Sequence, residues 1–421
     1  MSEVEGDVVA QNAGGTGDLE STLIPKRAWR ALAALAVAML LSMATWFSAS
    51  AVVPQLASQF QLSDSTSAWL TIGVQVGFVI GALVLATTSA ADRFGPRHLM
   101  FAGATLAGIM NLGMLAANDA WQIIALRILT GACLAAVYPS AMKCISTWFK
   151  TSRATAVGVM IGALTVGSAS PHLVAAAGSL DWRFVVVGTS LLSAAGGLTA
   201  LLAAKDGPFT FPRSKFSLRE ALRAFTARPV LMSSLGYFGH MWELYAMWSW
   251  FSVYLSSVLA RSDSPLTEQF ASLATFVVVS IGAVGCLVGG RLAERVGSAK
   301  SAIVSMIFSG ACAAVIGWIP AGALWLVLLI ALLWGFWVIA DSAQFSVLIT
   351  QVADQRYVGS MLTLQMALGY TVTVPIVWLV PTLQANAGWG WAFVCLALGP
   401  AIGVLAIRSV LRQLKHHGEG Q

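Results

Sequence analysis

The 421 residues are 57% hydrophobic and 10% charged, with a formal net charge of +6 and a mean hydropathy of +0.78. An ordinary soluble domain carries about 25% charged residues, so this chain has too few to coat a water-facing surface. That excludes a soluble enzyme, a nucleic-acid binder and a disordered chain. Sixteen Trp and thirty-nine Gly instead fit a polytopic membrane protein, where interfacial Trp and helix-packing Gly are enriched.

Residues 1–27 are polar and Gly-rich, with Glu3, Glu5, Asp7, Asp18 and Glu20. They lack the basic start and apolar core of a signal peptide and predict a disordered cytoplasmic tail. Apolar runs follow at about 29–50, 67–88, 98–117, 121–147, 154–177, 184–203, 229–257, 268–290, 300–319, 322–348, 358–382 and 388–408. Most reach the roughly 20 residues that a span needs. Helix is the only open-ended structure that hydrocarbon permits, so the expected fold class is an all-α membrane protein with twelve transmembrane helices. The expected organisation is an N-terminal six-helix half over 28–203, a cytoplasmic linker over 204–228, a C-terminal half over 229–410 and a second cytoplasmic tail over 411–421.

In the linker, Ser217-Leu218-Arg219-Glu220 matches a capping box. Leu218, Ala221, Leu222 and Phe225 then form an apolar stripe, which predicts a short amphipathic helix at the inner membrane surface. The five Cys lie inside apolar runs without CxxC spacing. They read as small buried hydrophobes, not as disulfides or metal ligands.

With a cytoplasmic N-terminus, twenty of the twenty-four Lys and Arg fall on the inner side. Arg183 and Arg261 fall outside, and Arg127 and Lys143 lie within a span. The positive-inside rule therefore predicts an inner-membrane protein with both termini cytoplasmic.

Two inner loops repeat one pattern. Asp92, Arg93, Gly95 and Arg97 stand between spans two and three; Gly290, Leu292, Ala293, Glu294, Arg295, Gly297 and Lys300 stand between spans eight and nine. The two acids are 202 residues apart, about half the chain, and Arg153…Gly158 with Arg356…Gly359 repeats at an offset of 203. Such internal repeats are how many transporters are built.

This resembles the major facilitator superfamily over essentially the whole chain. The family's signature in the loop after the second helix is G-x-L-A-D-R-x-G-R-K. The second copy is the fuller match, while the first departs at Thr88 and Pro96. The resemblance implies two six-helix pseudo-repeats, alternating access, and a central cavity lined by spans one, four, seven and ten. In it, the repeated acid and Arg would close a cytoplasmic gate. Without the resemblance, both copies read as positive-inside charge with tight Gly turns. Gly158, Gly162, Gly167 and Pro171 in span five are somewhat like the family's antiporter motif, although Pro171 does not follow a Gly, and close helix packing accounts for them.

Ionisable residues inside spans are costly and therefore candidates for function. On span seven, Glu243 lies mid-run and His240 one turn before it, on the same face. A His beside a buried acid makes a pair able to hold or pass a proton; a structural hydrogen bond to a neighbouring span is the alternative. On span ten, Asp341 shares its helical face with Trp334, Trp337, Gln344 and Phe345. On span four, Arg127 begins an R-x-x-x-G resembling the family's motif, with Thr130, Gly131 and Tyr138 on its face. A guanidinium stays charged, so Arg127 requires a substrate carboxylate, Glu243 or backbone carbonyls. Lys143 lies near the inner end, where snorkelling is cheap, and His172 follows Pro171 as a packing residue expected to be hydrogen-bonded.

The expected function is secondary transport by a monomer that is not an enzyme and carries no cofactor or metal. No Walker motif supplies ATP binding and no HExxH supplies zinc. The substrate and proton candidates are Arg127, Tyr138, Lys143, His240, Glu243, Trp337 and Asp341. They suggest proton-coupled symport of a small organic anion, in which Arg127, His240 and Glu243 act together. Proton-coupled efflux of a drug or metabolite is the alternative, because Asp341 brings the cavity near neutrality. A non-transporting membrane sensor would need none of these charges.

Overall fold

A computed structural model describes residues 14–88, 90–149, 153–177, 181–209, 217–262, 266–354 and 357–418. Side chains at 14–25, 64, 91–92, 153–154 and 414–418 are not described. The tail over 1–13, the linker stretch 210–216 and the side chain of Asp92 therefore lie outside the described residues.

The chain is a multi-pass bundle of membrane-spanning helices. Span one runs Gly14–Ser42 and continues through 3-10 turns at Met43–Thr45 and Ser50–Val52 to a short helix at Val53–Phe60. Spans two and three are Asp64–Thr87 and Pro96–Gly113, and span four is built from Ala120–Leu134 and Tyr138–Ser146. Spans five and six are Arg153–Ala177 and Trp182–Ala203, and span seven is Arg228–Arg261. Span eight joins Glu268–Ser280 to Gly282–Val296, span nine is Ser298–Ile316, and span ten joins Leu324–Trp337 to Ser342–Val352. Spans eleven and twelve form one run, Val358–Gly418, broken at Gly388 with φ 81°. Ten helical runs among the described residues are long and apolar enough to cross a membrane; dividing the last at Gly388 and adding Arg228–Arg261 gives twelve, consistent with the twelve apolar runs. The first helix starts at Gly14, earlier than the expected tail boundary at 27.

The linker carries the short helix Leu218–Ala224, capped by Ser217 Oγ, which accepts from the backbone N–H of Glu220 at 3.4 Å. Ala221 packs with Val230, Ile349 and Met361, while Leu218 and Leu222 stay exposed. The Ser217 N–H donates to Ser360 Oγ at 3.0 Å, tying the linker to span eleven.

The two halves repeat in detail. Gly131 of span four faces the carbonyl of Val74, and Gly335 of span ten faces the carbonyl of Val278. A Cβ would sit 1.9 and 1.8 Å from those oxygens, so each pair of spans packs backbone to backbone. Span four then leaves the α-helix at Ala135–Val137 and span ten at Val338–Asp341. The breaks are separated by the same offset as the sequence repeats. They place Tyr138 and Asp341 at equivalent points, where the second piece of each span begins.

The repeated loops are not identical. Gly297 has φ 88° and ψ 151°, a region essentially reserved for Gly. Gly95 has φ −60° and ψ 145°, held extended by the following Pro96 and open to any residue. Gly297→Ala is therefore expected to lower stability by about 1–3 kcal/mol, while Gly95→Ala changes it little. Thermal unfolding in detergent checks this; equal effects would mean the two turns are constrained alike. Arg93, Arg97, Glu294 and Arg295 are all exposed at this end of the bundle. Glu294 makes no ion pair among the described residues.

Candidate functional site

Span seven presents His240 and Glu243 one turn apart, both buried, yet they take different partners. His240 Nδ1 lies 2.8 Å from Asp341 Oδ1, a contact from span seven to span ten. The Glu243 carboxylate accepts from Trp334 Nε1 at 2.8 Å and from Ser309 Oγ at 2.9 Å. The His240–Glu243 pair expected from helical spacing is thus replaced by His240–Asp341, with Glu243 held between spans nine and ten. The break in span ten explains the exchange, since it sets Asp341 at the head of Ser342–Val352 rather than inside a continuous helix. The His240 ring stacks on Tyr237 with centroids 6.2 Å apart and meets Phe345 at 5.3 Å. Its Nε2 has no hydrogen-bond partner among the described residues.

Trp337 does not join this group. It is half-buried and stacks on Phe308 at 4.9 Å, and Phe308 is 51% exposed, so the pair belongs to the bundle's periphery. Trp334, three residues earlier, supplies the buried indole instead. Extending one helical face from Asp341 back to Trp337 ignored the break between them.

Arg127 occupies a different place. It is fully buried and surrounded by acceptors of the N-terminal half. Nε donates to the Leu70 carbonyl at 3.1 Å; Nη1 donates to the Thr45 carbonyl at 3.0 Å, Ser48 Oγ at 3.0 Å and Asn111 Oδ1 at 3.1 Å. Nη2 donates to the Trp46 carbonyl. Thr45 and Trp46 lie where span one leaves the α-helix, so Arg127 satisfies carbonyls which that departure frees at membrane depth. Asn111 extends the network, donating to Ser190 Oγ at 2.9 Å and Thr189 Oγ1 at 3.1 Å on span six. Of the three partners open to Arg127 in the sequence, the structure shows backbone carbonyls, and the expected trio with His240 and Glu243 does not assemble.

Tyr138 and Lys143 are half-buried, on the second piece of span four. His172 is buried but its Nδ1 has no hydrogen-bond partner among the described residues, so it packs without the expected hydrogen bond.

One feature escaped the sequence reading. The departure of span one from the helix turns Trp46 and Phe47 toward the seam between the halves. Trp46 meets Phe78 of span two at 5.0 Å, Tyr370 of span eleven at 5.6 Å and Tyr245 of span seven at 6.0 Å. Phe47 meets Tyr245 at 6.1 Å and Trp248 at 5.9 Å, and the Tyr245 and Tyr370 hydroxyls lie 2.8 Å apart. Beside the cluster, Thr373 Oγ1 of span eleven lies 2.8 Å from Gln75 Oε1 of span two. Six rings from four spans could not be grouped from spacing within any one helix.

The family model described as Major Facilitator Superfamily matches residues 35–376. Multidrug efflux pump LfrA of Mycolicibacterium smegmatis is 30% identical over 164 residues, 38% of this chain and 32% of that protein. Puromycin resistance protein pur8 of Streptomyces alboniger is 30% identical over 163 residues, again 38% of this chain and 32% of that protein. The chain thus matches about a third of the length of these two relatives. An MFS-type transporter of Gibberella moniliformis is 25% identical over 320 residues, 72% of each chain. Among solved structures, a bacterial homolog to human lysosomal transporter Spinster, inward-facing and unoccupied, aligns with a TM-score of 0.68 at 15% identity. That alignment covers 92% of this chain and 98% of the other.

Proposed function

The chain belongs to the Major Facilitator Superfamily, and we propose that it exports an aromatic or amphiphilic small molecule in exchange for protons. The observation that carries this reading is the buried His240–Asp341 contact at 2.8 Å. A titratable pair inside a membrane bundle is expensive to keep and marks an ion or substrate pathway. One proton more or less changes the charge of the pair, and so changes what else the bundle tolerates between its halves. Glu243, one turn away and bonded to two donors, is a second proton site.

Uptake of an organic anion requires a cation free to receive it. Arg127 is the buried guanidinium of the fourth span, and its donors are engaged by acceptors of its own half. That weighs against anion symport and for a neutral or cationic substrate. The names of two relatives, multidrug efflux pump LfrA and puromycin resistance protein pur8, point the same way. The charge distribution supports an inner-membrane location with both termini cytoplasmic. On that orientation Arg93, Arg97, Glu294 and Arg295 stand at the cytoplasmic gate, Lys143 and Tyr138 line the inner part of the path, and the protein works as a monomer.

The test uses everted membrane vesicles energised to an acidic interior. Rhodamine 6G should accumulate inside, and a protonophore should release it. Accumulation insensitive to the protonophore, or proton-driven movement of benzoate but not of rhodamine 6G, would overturn the reading.

A further inference from the structure

The rings at the seam divide evenly between the halves. Trp46, Phe47 and Phe78 come from the N-terminal half; Tyr245, Trp248 and Tyr370 come from the C-terminal half. All six are buried, with Trp46 and Trp248 each 2% exposed. Their contacts cross the seam ring to ring, from Phe78–Tyr370 at 4.8 Å to Phe47–Tyr245 at 6.1 Å with planes 27° apart.

Each side also carries an indole N–H, on Trp46 and on Trp248, with no hydrogen-bond partner among the described residues. Buried Trp normally places its N–H on an acceptor, as Trp250 does on the Val377 carbonyl at 2.9 Å and Trp242 on the Cys395 carbonyl at 3.0 Å. An orphaned buried donor gives up the hydrogen bond it would make to water and gains nothing in return. Two of them on rings that pack at one seam, beside Gln75, whose buried Nε2 also has no partner among the described residues, make a lining rich in unsatisfied donors.

We propose that this seam is a substrate-recognition site that selects planar aromatic molecules bearing hydrogen-bond acceptor oxygens, read by the indole N–H groups of Trp46 and Trp248. The proposal deepens the export reading above and rests on it for the direction of transport. When the halves separate by one ring thickness, the cross-seam contacts are lost. A planar aromatic guest restores them on both its faces, and carbonyl or ether oxygens on its rim take up the two donors. A guest without acceptors regains the stacking but leaves the donors orphaned, so the lining discriminates by chemistry as well as shape.

The test compares coumarin, a flat bicycle with a lactone, with naphthalene, a bicycle of similar size without oxygen. Equilibrium dialysis against the protein in nanodiscs, with empty nanodiscs subtracted, measures both. Coumarin should bind at least tenfold more tightly. Trp46→Phe and Trp248→Phe keep a ring and remove the N–H; each should weaken coumarin about tenfold, one good hydrogen bond, and leave naphthalene unchanged. Equal affinity for the two compounds, no measurable coumarin binding up to its solubility, or coumarin binding untouched by both variants would each overturn the proposal. Binding needs no proton gradient. If coumarin selectivity holds while rhodamine 6G fails to move with protons, the export reading falls and the site stands; the reverse result removes the site alone.

Discussion

Asp341→Asn is expected to abolish proton-driven accumulation, by at least tenfold, while leaving substrate binding within about threefold. Asn keeps the size of the side chain and its place at the head of Ser342–Val352, so the break in span ten survives. It also keeps an oxygen to face His240 Nδ1, which lies 2.8 Å from the native carboxylate. What it cannot do is gain and lose a proton. The titratable groups facing this pair are few among the described residues: Tyr237, whose ring stacks on His240, and Glu243 on span seven and Cys286 on span eight, which both feel the charge of Asp341. Exchange of labelled for unlabelled rhodamine 6G across proteoliposomes, with no gradient, should continue in the variant. Its dependence on pH should flatten. Glu243→Gln probes the second proton site, because Gln still offers an oxygen to Trp334 Nε1 and an NH2 that Ser309 Oγ can accept. If Glu243→Gln uncouples and Asp341→Asn does not, the proton site lies one turn further along span seven.

The spans were legible because crossing hydrocarbon is a demand on composition alone: Trp182–Ala203 and Ser298–Ile316 lie within a few residues of their apolar runs. The short helix at Leu218–Ala224 was legible because its cap is local. Breaks inside the spans were not, because lipid forbids an unwound segment unless protein elsewhere satisfies it. For span one that protein is Arg127, far away in sequence. The contacts among the candidate side chains were not legible for the same reason. Spacing along a helix finds neighbours one turn apart, such as His240 and Glu243, but the contacts that matter reach from span seven to Asp341, Ser309 and Trp334. Trp334 and Trp337 were both placed on the face of Asp341 by a helical register that stops at Val338, and Trp334 is the one that reaches Glu243.

Replacing Arg127 should cost more stability than any other single substitution considered. Arg127→Met leaves the Trp46 carbonyl without a donor and takes the guanidinium from the Leu70 carbonyl, the Thr45 carbonyl and the Asn111 side-chain oxygen, the last two keeping only Ser48 Oγ. A buried acceptor without a partner costs about 1–3 kcal/mol, and the losses fall on one network, so they add incompletely. A destabilisation of about 3–5 kcal/mol follows, comparable to breaking a buried ion pair. Arg127→Lys separates the two roles this residue could have. As a receptor for a substrate anion, a lysine would keep the charge, and both stability and some transport would survive. As a clamp on span one, it would fail, because an ammonium has three donors on one point and cannot reach both Leu70 and Trp46. The lysine variant should therefore melt nearly as early as the methionine one, on the order of 10 °C below wild type in detergent. The same loss should free the turn that carries Trp46 and Phe47, so a Cys placed at Ala49, buried in the native structure, should become reactive in a background without the five native Cys. A lysine variant that melts like wild type and keeps Ala49→Cys protected would return Arg127 to the list of groups that meet the substrate.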